Sequence, residues 1–179
     1  MTLLVEEYDR CESEAVETTP NRVIEAFQPA AFRHVGYPAR IRRERELHRY
    51  VDTMHELEFE DDFAAVSGLT TAEFALLRRI SEGILTFSRD RFGMSLMARP
   101  SVIRSLNVLR HIRHMYRDAR PRVFELGPGS GYLGALLMAE GFPYAAMDVA
   151  QAFYLFQNHL WKNMFGDALV ERVGRKVHP

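Results

Sequence analysis

The length and composition of the chain indicate an ordinary globular protein, because 179 residues with 47% hydrophobic and 26% charged side chains suffice for a packed core. A net charge of -1 excludes a global field that would attract nucleic acid or an anionic membrane, so we expect neither as a partner. The single cysteine, Cys11, excludes an internal disulfide, and the acidic start does not fit a signal peptide. These features together favour a cytoplasmic protein.

Residues 1–90 are predicted to form a helical N-terminal region. Pro20 suits the first position of a helix, and apolar residues follow it at helical spacing. The stretch 38–58 carries an apolar stripe between charged residues, which predicts an amphipathic helix with one face in water.

The firmest predicted helix of this region spans about 71–87. Thr70 and Glu73 have the spacing of a capping box, in which the threonine hydroxyl and the glutamate carboxylate each accept a hydrogen bond from the other residue's amide. A boundary is expected within 88–99, where Gly93 lies among mixed polar and apolar residues. The remainder, 91–179, is then a second unit.

Another helix is predicted from Pro100 to a turn beginning near Asp118. Its apolar residues are expected to face inward: Val102, Ile103, Leu106, Leu109, Ile112, Met115 and Tyr116. The same helix is rich in arginine and histidine, and we interpret its basic residues as a solvated face rather than as an RNA surface, because the whole chain is close to neutral.

A strand, a glycine-rich loop and a helix follow one another from Val123 onward. The segment 123–126 is apolar enough for a buried parallel strand, and three glycines come directly after it at positions 127, 129 and 131. Glycine lets a ligand lie against the main chain because it has no Cβ. A helix from Tyr132 to Glu140 is expected to direct its first amides toward this loop.

A second short strand, 144–147, is predicted to deliver Asp148 to the same edge of the sheet. Asp148 follows Gly127 by about 20 residues, the spacing at which an acid binds ribose hydroxyls in nucleotide-binding units. The expected fold is therefore α/β, with the helical N-terminal region followed by the first half of a Rossmann-like, doubly wound parallel sheet. An amphipathic helix is predicted over 150–165.

Two cofactor classes fit the glycine loop. The residues from Gly129 to Gly134 match the dinucleotide pattern Gly-x-Gly-x-x-Gly, which is typical of NAD(P)- or FAD-binding oxidoreductases. Glu125, however, places an acid two positions before Gly127, and an acid there repels phosphate and suits a cation. A noncatalytic helical interaction module is a third alternative, in which the glycines only make a turn and Asp148 only caps a helix.

The segment Glu125-Leu126-Gly127-Pro128-Gly129-Ser130-Gly131 resembles the first motif of class I S-adenosylmethionine-dependent methyltransferases. The resemblance implies that Glu125 and the loop hold the methionine end of S-adenosylmethionine, that Asp148 binds the ribose and that Val149 borders the adenine. The implied cofactor-binding residues are Glu125, Gly127, Gly129, Ser130, Gly131, Asp148 and Val149. The resemblance also implies methyl transfer without a metal, and it identifies no catalytic residue.

The stretch 148–156, an aspartate followed by an aromatic helix, is similar to a sugar O-methyltransferase subgroup, which implies a small-molecule acceptor with a sugar hydroxyl. A sheet of this class contains five further strands, so we expect the chain to be a fragment whose turnover depends on missing parts. Exposed sheet edges also favour association into a homo-oligomer.

Overall fold

The computed structural model describes residues 3–18, 20, 40–50, 68–117, 119–148 and 150–173. These residues form a mixed α/β structure that is mostly helical, which confirms the expected class at that level. The α-helices are α1 (Val5–Thr18), α2 (Thr71–Phe92), α3 (Arg99–Tyr116), α4 (Tyr132–Ala139) and α5 (Gln151–Phe165). The strands are β1 (Val123–Leu126) and β2 (Tyr144–Met147), and short 3₁₀ helices span Glu44–Tyr50 and Gly166–Ala168.

The two strands pair in parallel, with α4 as the connection between them. Val123 lies opposite Tyr144 and Leu126 lies opposite Met147, so the strands end at the same level. Gly141, with a φ of 79°, follows α4 and returns the chain to β2. The predicted strand, loop, helix and strand are therefore confirmed in order and extent.

The prediction that β1 is a buried strand is wrong for one of its two faces. Phe124 is 60% and Leu126 is 69% exposed, whereas Val123 and Glu125 are half-buried. The alternation arises because successive side chains of a strand point to opposite faces and only one face of this sheet is covered. On β2, Met147 lies on the exposed face as well.

The predicted capping box opens α2. The Glu73 amide donates to Thr70 Oγ1 at 3.2 Å, and the Thr70 amide donates to Glu73 Oε2 at 2.9 Å. The helix runs to Phe92, beyond the predicted end, and Gly93 closes it with a φ of 72°. Ser88 is buried inside this last turn, and its hydroxyl accepts a hydrogen bond from the Leu96 amide.

The predicted amphipathic helix over 38–58 is wrong where the structure describes it. Residues 40–43 have no helical structure, and a 3₁₀ helix, Glu44–Tyr50, follows. Long-range contacts select this conformation, because the Ile41 amide donates to the Gln151 side chain and Glu44 accepts from the Val5 amide. Residues 51–58 of that stretch, and the helix predicted after Pro20, lie outside the described residues.

Met115 and Tyr116 also depart from expectation, since they are 67% and 49% exposed rather than inward. The buried residues of α3 end at Ile112, one turn before the helix does. The core contains side chains from both sides of residue 90, among them Val5, Ile84 and Leu136. The division into units at 1–90 and 91–179 stays a prediction.

Candidate functional site

The carboxyl ends of β1 and β2 bring together the acids and the glycines that the sequence singled out. Glu125 lies on β1, and Asp148 follows β2 directly. The Gly127 amide donates to the Met147 carbonyl at 2.8 Å, so the pairing continues one step past the strands. Both acids therefore flank the loop at the edge where ligands bind in open α/β sheets.

The loop depends on glycine at three positions. Gly127, Gly129 and Gly131 have φ angles of 65°, 59° and 73°, a region that other residues rarely adopt. The Gly131 amide donates to the Pro128 carbonyl at 2.9 Å, which closes a turn with Gly129 as its first central residue. Gly131 then starts α4 as its N-terminal cap.

One side of the loop is packed against α5. A Cβ placed on Gly131 would lie 2.9 Å from the Trp161 ring, and one on Gly134 would lie 2.7 Å from the same ring. Trp161 Nε1 donates to the Gly131 carbonyl at 2.8 Å, and Gln157 Nε2 donates to the Gly129 carbonyl at 2.7 Å. Two loop carbonyls are thus held on the α5 side.

The other side of the loop is open. A Cβ placed on Gly127 would have no atom within 4 Å, and Gly127 is exposed. The amides of Gly129 and Ser130 have no acceptor among the described residues, although Ser130 itself is only 5% exposed. An amide without a protein acceptor can donate to a polar group of a ligand.

Glu125 is a half-buried carboxylate without a cationic partner. Its Oε2 accepts a hydrogen bond from the Tyr144 hydroxyl at 2.6 Å. Burial raises the pKa of Glu125, the Tyr144 hydrogen bond opposes that rise, and the charge of Asp148 adds to it. Burial and the adjacent Glu125 likewise raise the pKa of Tyr144. Within the described part of the chain, neither Glu125 nor Asp148 forms an ion pair.

Asp148 uses both of its oxygens within the chain. Oδ1 accepts from the Ala150 amide at 2.9 Å, and Oδ2 accepts from Gln157 Nε2 at 2.9 Å. A carboxylate offers about four lone-pair positions, so two stay available for ligand hydroxyls. The N-terminal cap of α5 is Ala150, whose side chain makes no capping bond. Val149, the predicted adenine neighbour, lies outside the described residues.

Sequence reasoning missed three residues of this site. These residues are Tyr144, in the predicted second strand, and Gln157 and Trp161, in the predicted helix over 150–165; none of the three was assigned to the site. The sequence signal that could have identified Gln157 is a glutamine between Phe156 and Leu160 on a predicted amphipathic helix; in the structure it is 2% exposed. A buried glutamine on an apolar helix face needs hydrogen-bond partners for its amide, and here the partners are the glycine loop and the Asp148 carboxylate.

The basic face of α3 is partly engaged in ion pairs. Arg110 donates to Glu73 at 2.6 Å, and Arg113 donates to Glu140. Two clefts lie beside Arg91, away from the glycine loop: one of about 380 Å³ is lined by residues including His159 and Lys162, the other of about 590 Å³ by residues including Arg45 and His48.

Comparisons of the chain with protein-family models, with curated proteins and with solved structures gave no match. Among the described residues, no three or more histidine, cysteine, aspartate or glutamate side chains cluster in a way that could hold a metal ion. None of the described helices combines the length and the apolar character that a membrane crossing requires.

Proposed function

We propose that this chain is the donor-binding part of an S-adenosylmethionine-dependent methyltransferase. One observation carries the proposal: two carboxylates that no described cation neutralises, Glu125 and Asp148, flank a glycine loop that is open at Gly127. S-adenosylmethionine carries a sulfonium charge and an ammonium group, so an uncompensated acidic edge suits it better than it suits a phosphate.

Each part of the edge has a role in the proposal. The two remaining acceptor positions of Asp148 match the two hydroxyls of a ribose. The free amides of Gly129 and Ser130 suit the carboxylate of the methionine end, while Glu125 suits its cationic groups. The main chain at Gly127 leaves room for the ligand to lie close.

The reaction that follows is transfer of a methyl group to an oxygen nucleophile. The cofactor supplies the methyl group, and the protein gains rate mainly by holding donor and acceptor together. The resemblance of 148–156 to a sugar O-methyltransferase subgroup supports a sugar hydroxyl as acceptor. We include in the proposal that the enzyme is cytoplasmic, that its fold belongs to the doubly wound, Rossmann-like class, and that copies of the chain associate through the exposed sheet edges.

A dinucleotide-binding oxidoreductase is the second candidate, and one contact favours it. Gly134, the third glycine of the alternative pattern, lies under the rings of Tyr144 and Trp161, where a Cβ would come within 2.7 Å of each. Close packing of helix and strand is the role of that glycine in dinucleotide sites. Glu125 opposes this candidate because its charge would repel a pyrophosphate.

Isothermal titration calorimetry of the chain with S-adenosylmethionine and with NADH separates the two candidates. We expect binding of S-adenosylmethionine and none of NADH. Asp148→Ala should weaken binding about tenfold or more through lost charged hydrogen bonds. Asp90→Ala, which removes an exposed acid whose ion-pair partner among the described residues is Arg89, is the control and should bind normally. Binding of NADH without binding of S-adenosylmethionine would instead favour the dinucleotide-binding oxidoreductase.

A further inference from the structure

Gln157 is the only described side chain that contacts both Asp148 and the glycine loop through hydrogen bonds. Its Nε2 donates to the Gly129 carbonyl at 2.7 Å and to Asp148 Oδ2 at 2.9 Å. An amide nitrogen has two hydrogens, so these two bonds use its full donor capacity. Gln157 is 2% exposed, which means that water cannot replace either bond cheaply.

The position of Gln157 is below the loop, on the α5 side, and not in the open space at Gly127. Its Cγ would lie 3.1 Å from a Cβ on Gly131, on the side where Trp161 also packs. The open side begins at Gly127, where no atom lies within 4 Å of such a Cβ. Gln157 therefore supports the loop from its packed side and leaves the other side to a ligand.

Trp161 extends this support by one helical turn. Gln157 and Trp161 are four residues apart on α5, so their side chains share one face of the helix. Each donates to a carbonyl of the loop, Gln157 to Gly129 and Trp161 to Gly131. Those two carbonyls are directed toward α5. In the same turn, the amides of Gly129 and Ser130 have no acceptor among the described residues.

We infer that Gln157 is a positioning residue that sets the Asp148 carboxylate for ribose hydroxyls; this inference rests on the proposed function. The hydrogen bond from Gln157 Nε2 to Oδ2 restricts the rotation of the Asp148 carboxylate. The bond from the same nitrogen to the Gly129 carbonyl holds that carboxylate at a set distance from the loop. Loss of both bonds leaves the acid in place, held among the described residues by the Ala150 amide at Oδ1 alone, so the orientation of its carboxylate is less restricted. Discrimination for the ribose should then fall more than binding of the rest of the ligand.

The test compares two glutamines on the same helix. Gln151 is also buried, and it also joins two partners, the Ile41 amide at 2.8 Å and Asp9 at 2.6 Å, but neither partner belongs to the glycine loop. Gln157→Met and Gln151→Met each keep the side-chain volume and remove two hydrogen bonds. The measurement is the ratio of the dissociation constants of 2′,3′-dideoxy-S-adenosylhomocysteine and S-adenosylhomocysteine, by calorimetry.

We expect wild type and Gln151→Met to give the same high ratio and Gln157→Met to lower it about tenfold, the cost of a charged hydrogen bond lost. An unchanged ratio, or tighter binding of S-adenosylhomocysteine by Gln157→Met, would overturn the inference while leaving the proposed function intact. Wild type that binds neither ligand would instead refute the proposed function.

A second measurement needs no variant and covers the case in which Gln157→Met does not fold. The side-chain amide hydrogens of Gln157 in the wild-type chain can be followed by nuclear magnetic resonance during titration with S-adenosylhomocysteine. Retained or slowed exchange with solvent supports a positioning role, because both bonds persist under the ligand. Accelerated exchange at saturation overturns it, because the ligand then displaces the side chain.

Discussion

Two carboxylates of this molecule are held in contrasting ways, at the start of α2 and at the sheet edge. Glu73 accepts from the Arg110 guanidinium at 2.6 and 2.8 Å, besides its capping bonds with Thr70. The Arg110 hydrogen bond, together with the capping bonds, holds the pKa of Glu73 down at about 2. In the described part of the chain the hydrogen-bond partner of Glu125 is the Tyr144 hydroxyl, and burial together with the charge of Asp148 raises the pKa of Glu125.

The difference separates a carboxylate that stabilises the fold from one that, under the proposed function, binds a ligand. Glu73 has a guanidinium, a hydroxyl and an amide as donors, so the folded chain stabilises its charge. Glu125 is charged at a cost to the fold, because burial disfavours the ionised form without a cation nearby. Each acid has an open glycine close to it in sequence, Gly68 and Gly127, which permits matched tests.

The largest expected effect comes from filling the space beside Glu125. Gly127→Val and Gly68→Val introduce the same side chain at φ angles of 65° and 63°, and neither Cβ meets an atom within 4 Å. Both should cost similar stability, about 1 to 3 kcal/mol of backbone strain. Only Gly127→Val should reduce S-adenosylmethionine affinity, by about a hundredfold, since a bulky group then meets the ligand.

Calorimetry for binding and urea unfolding for stability measure these two variants. Equal affinity of the two for S-adenosylmethionine would mean that the open side of Gly127 is not a ligand surface.

The next largest effect is on stability, at the start of α2. Glu73→Ala removes the carboxylate half of the capping box and the partner of Arg110, so the free energy of unfolding should fall by about 2 kcal/mol while ligand affinity stays unchanged. Urea unfolding at neutral pH measures it. A loss of ligand affinity without a loss of stability would mean that Glu73 takes part in ligand binding and does not stabilise the fold.

The stability that Glu73 contributes depends on pH in a definite direction. The pKa of Glu73 is lowered to about 2, so its contribution to stability is fully present above the ordinary glutamate pKa, near 4.5, and is lost as the pH falls toward 2. Glu73→Gln should therefore show a shallower loss of stability over that window than wild type. Parallel curves would contradict the assignment of the low pKa to this residue.

A smaller effect is expected on binding from the charge of Glu125. Glu125→Gln keeps the shape and removes the charge, which should weaken S-adenosylmethionine binding about tenfold. In wild type the affinity should fall as the pH drops through the raised pKa of Glu125, because a protonated acid no longer attracts the cation. The variant should lack that dependence when both are titrated across the acidic range.

The smallest effect is that of Glu125→Gln on stability. A carboxyl whose pKa is raised by burial disfavours the fold when it is ionised, so removal of the charge should leave the free energy of unfolding at neutral pH unchanged or raise it by about 1 kcal/mol. Urea unfolding of variant and wild type measures this difference. A decrease in the free energy of unfolding comparable to that of Glu73→Ala would mean that Glu125, like Glu73, stabilises the fold.

Local patterns predicted those parts of the structure whose contacts are local. The capping box at Thr70 joins atoms three residues apart, and the short apolar strands beside the glycine loop join through one connecting helix. The conformation of residues 40–50 could not be predicted this way, because it depends on a contact between Ile41 and Gln151 across the chain. The role of Gln157 depends in the same way on a loop 28 positions earlier.

The central claim is that Asp148 and the open side of the glycine loop bind one adenosyl ligand. A crystal structure of the chain with S-adenosylhomocysteine tests it most directly. The account predicts ribose hydroxyls at hydrogen-bond distance, about 2.7 Å, from Asp148, the ligand against the main chain at Gly127, and Gln157 still bonded to Gly129. A ligand bound elsewhere, or one that displaces Gln157 from both partners, would contradict it.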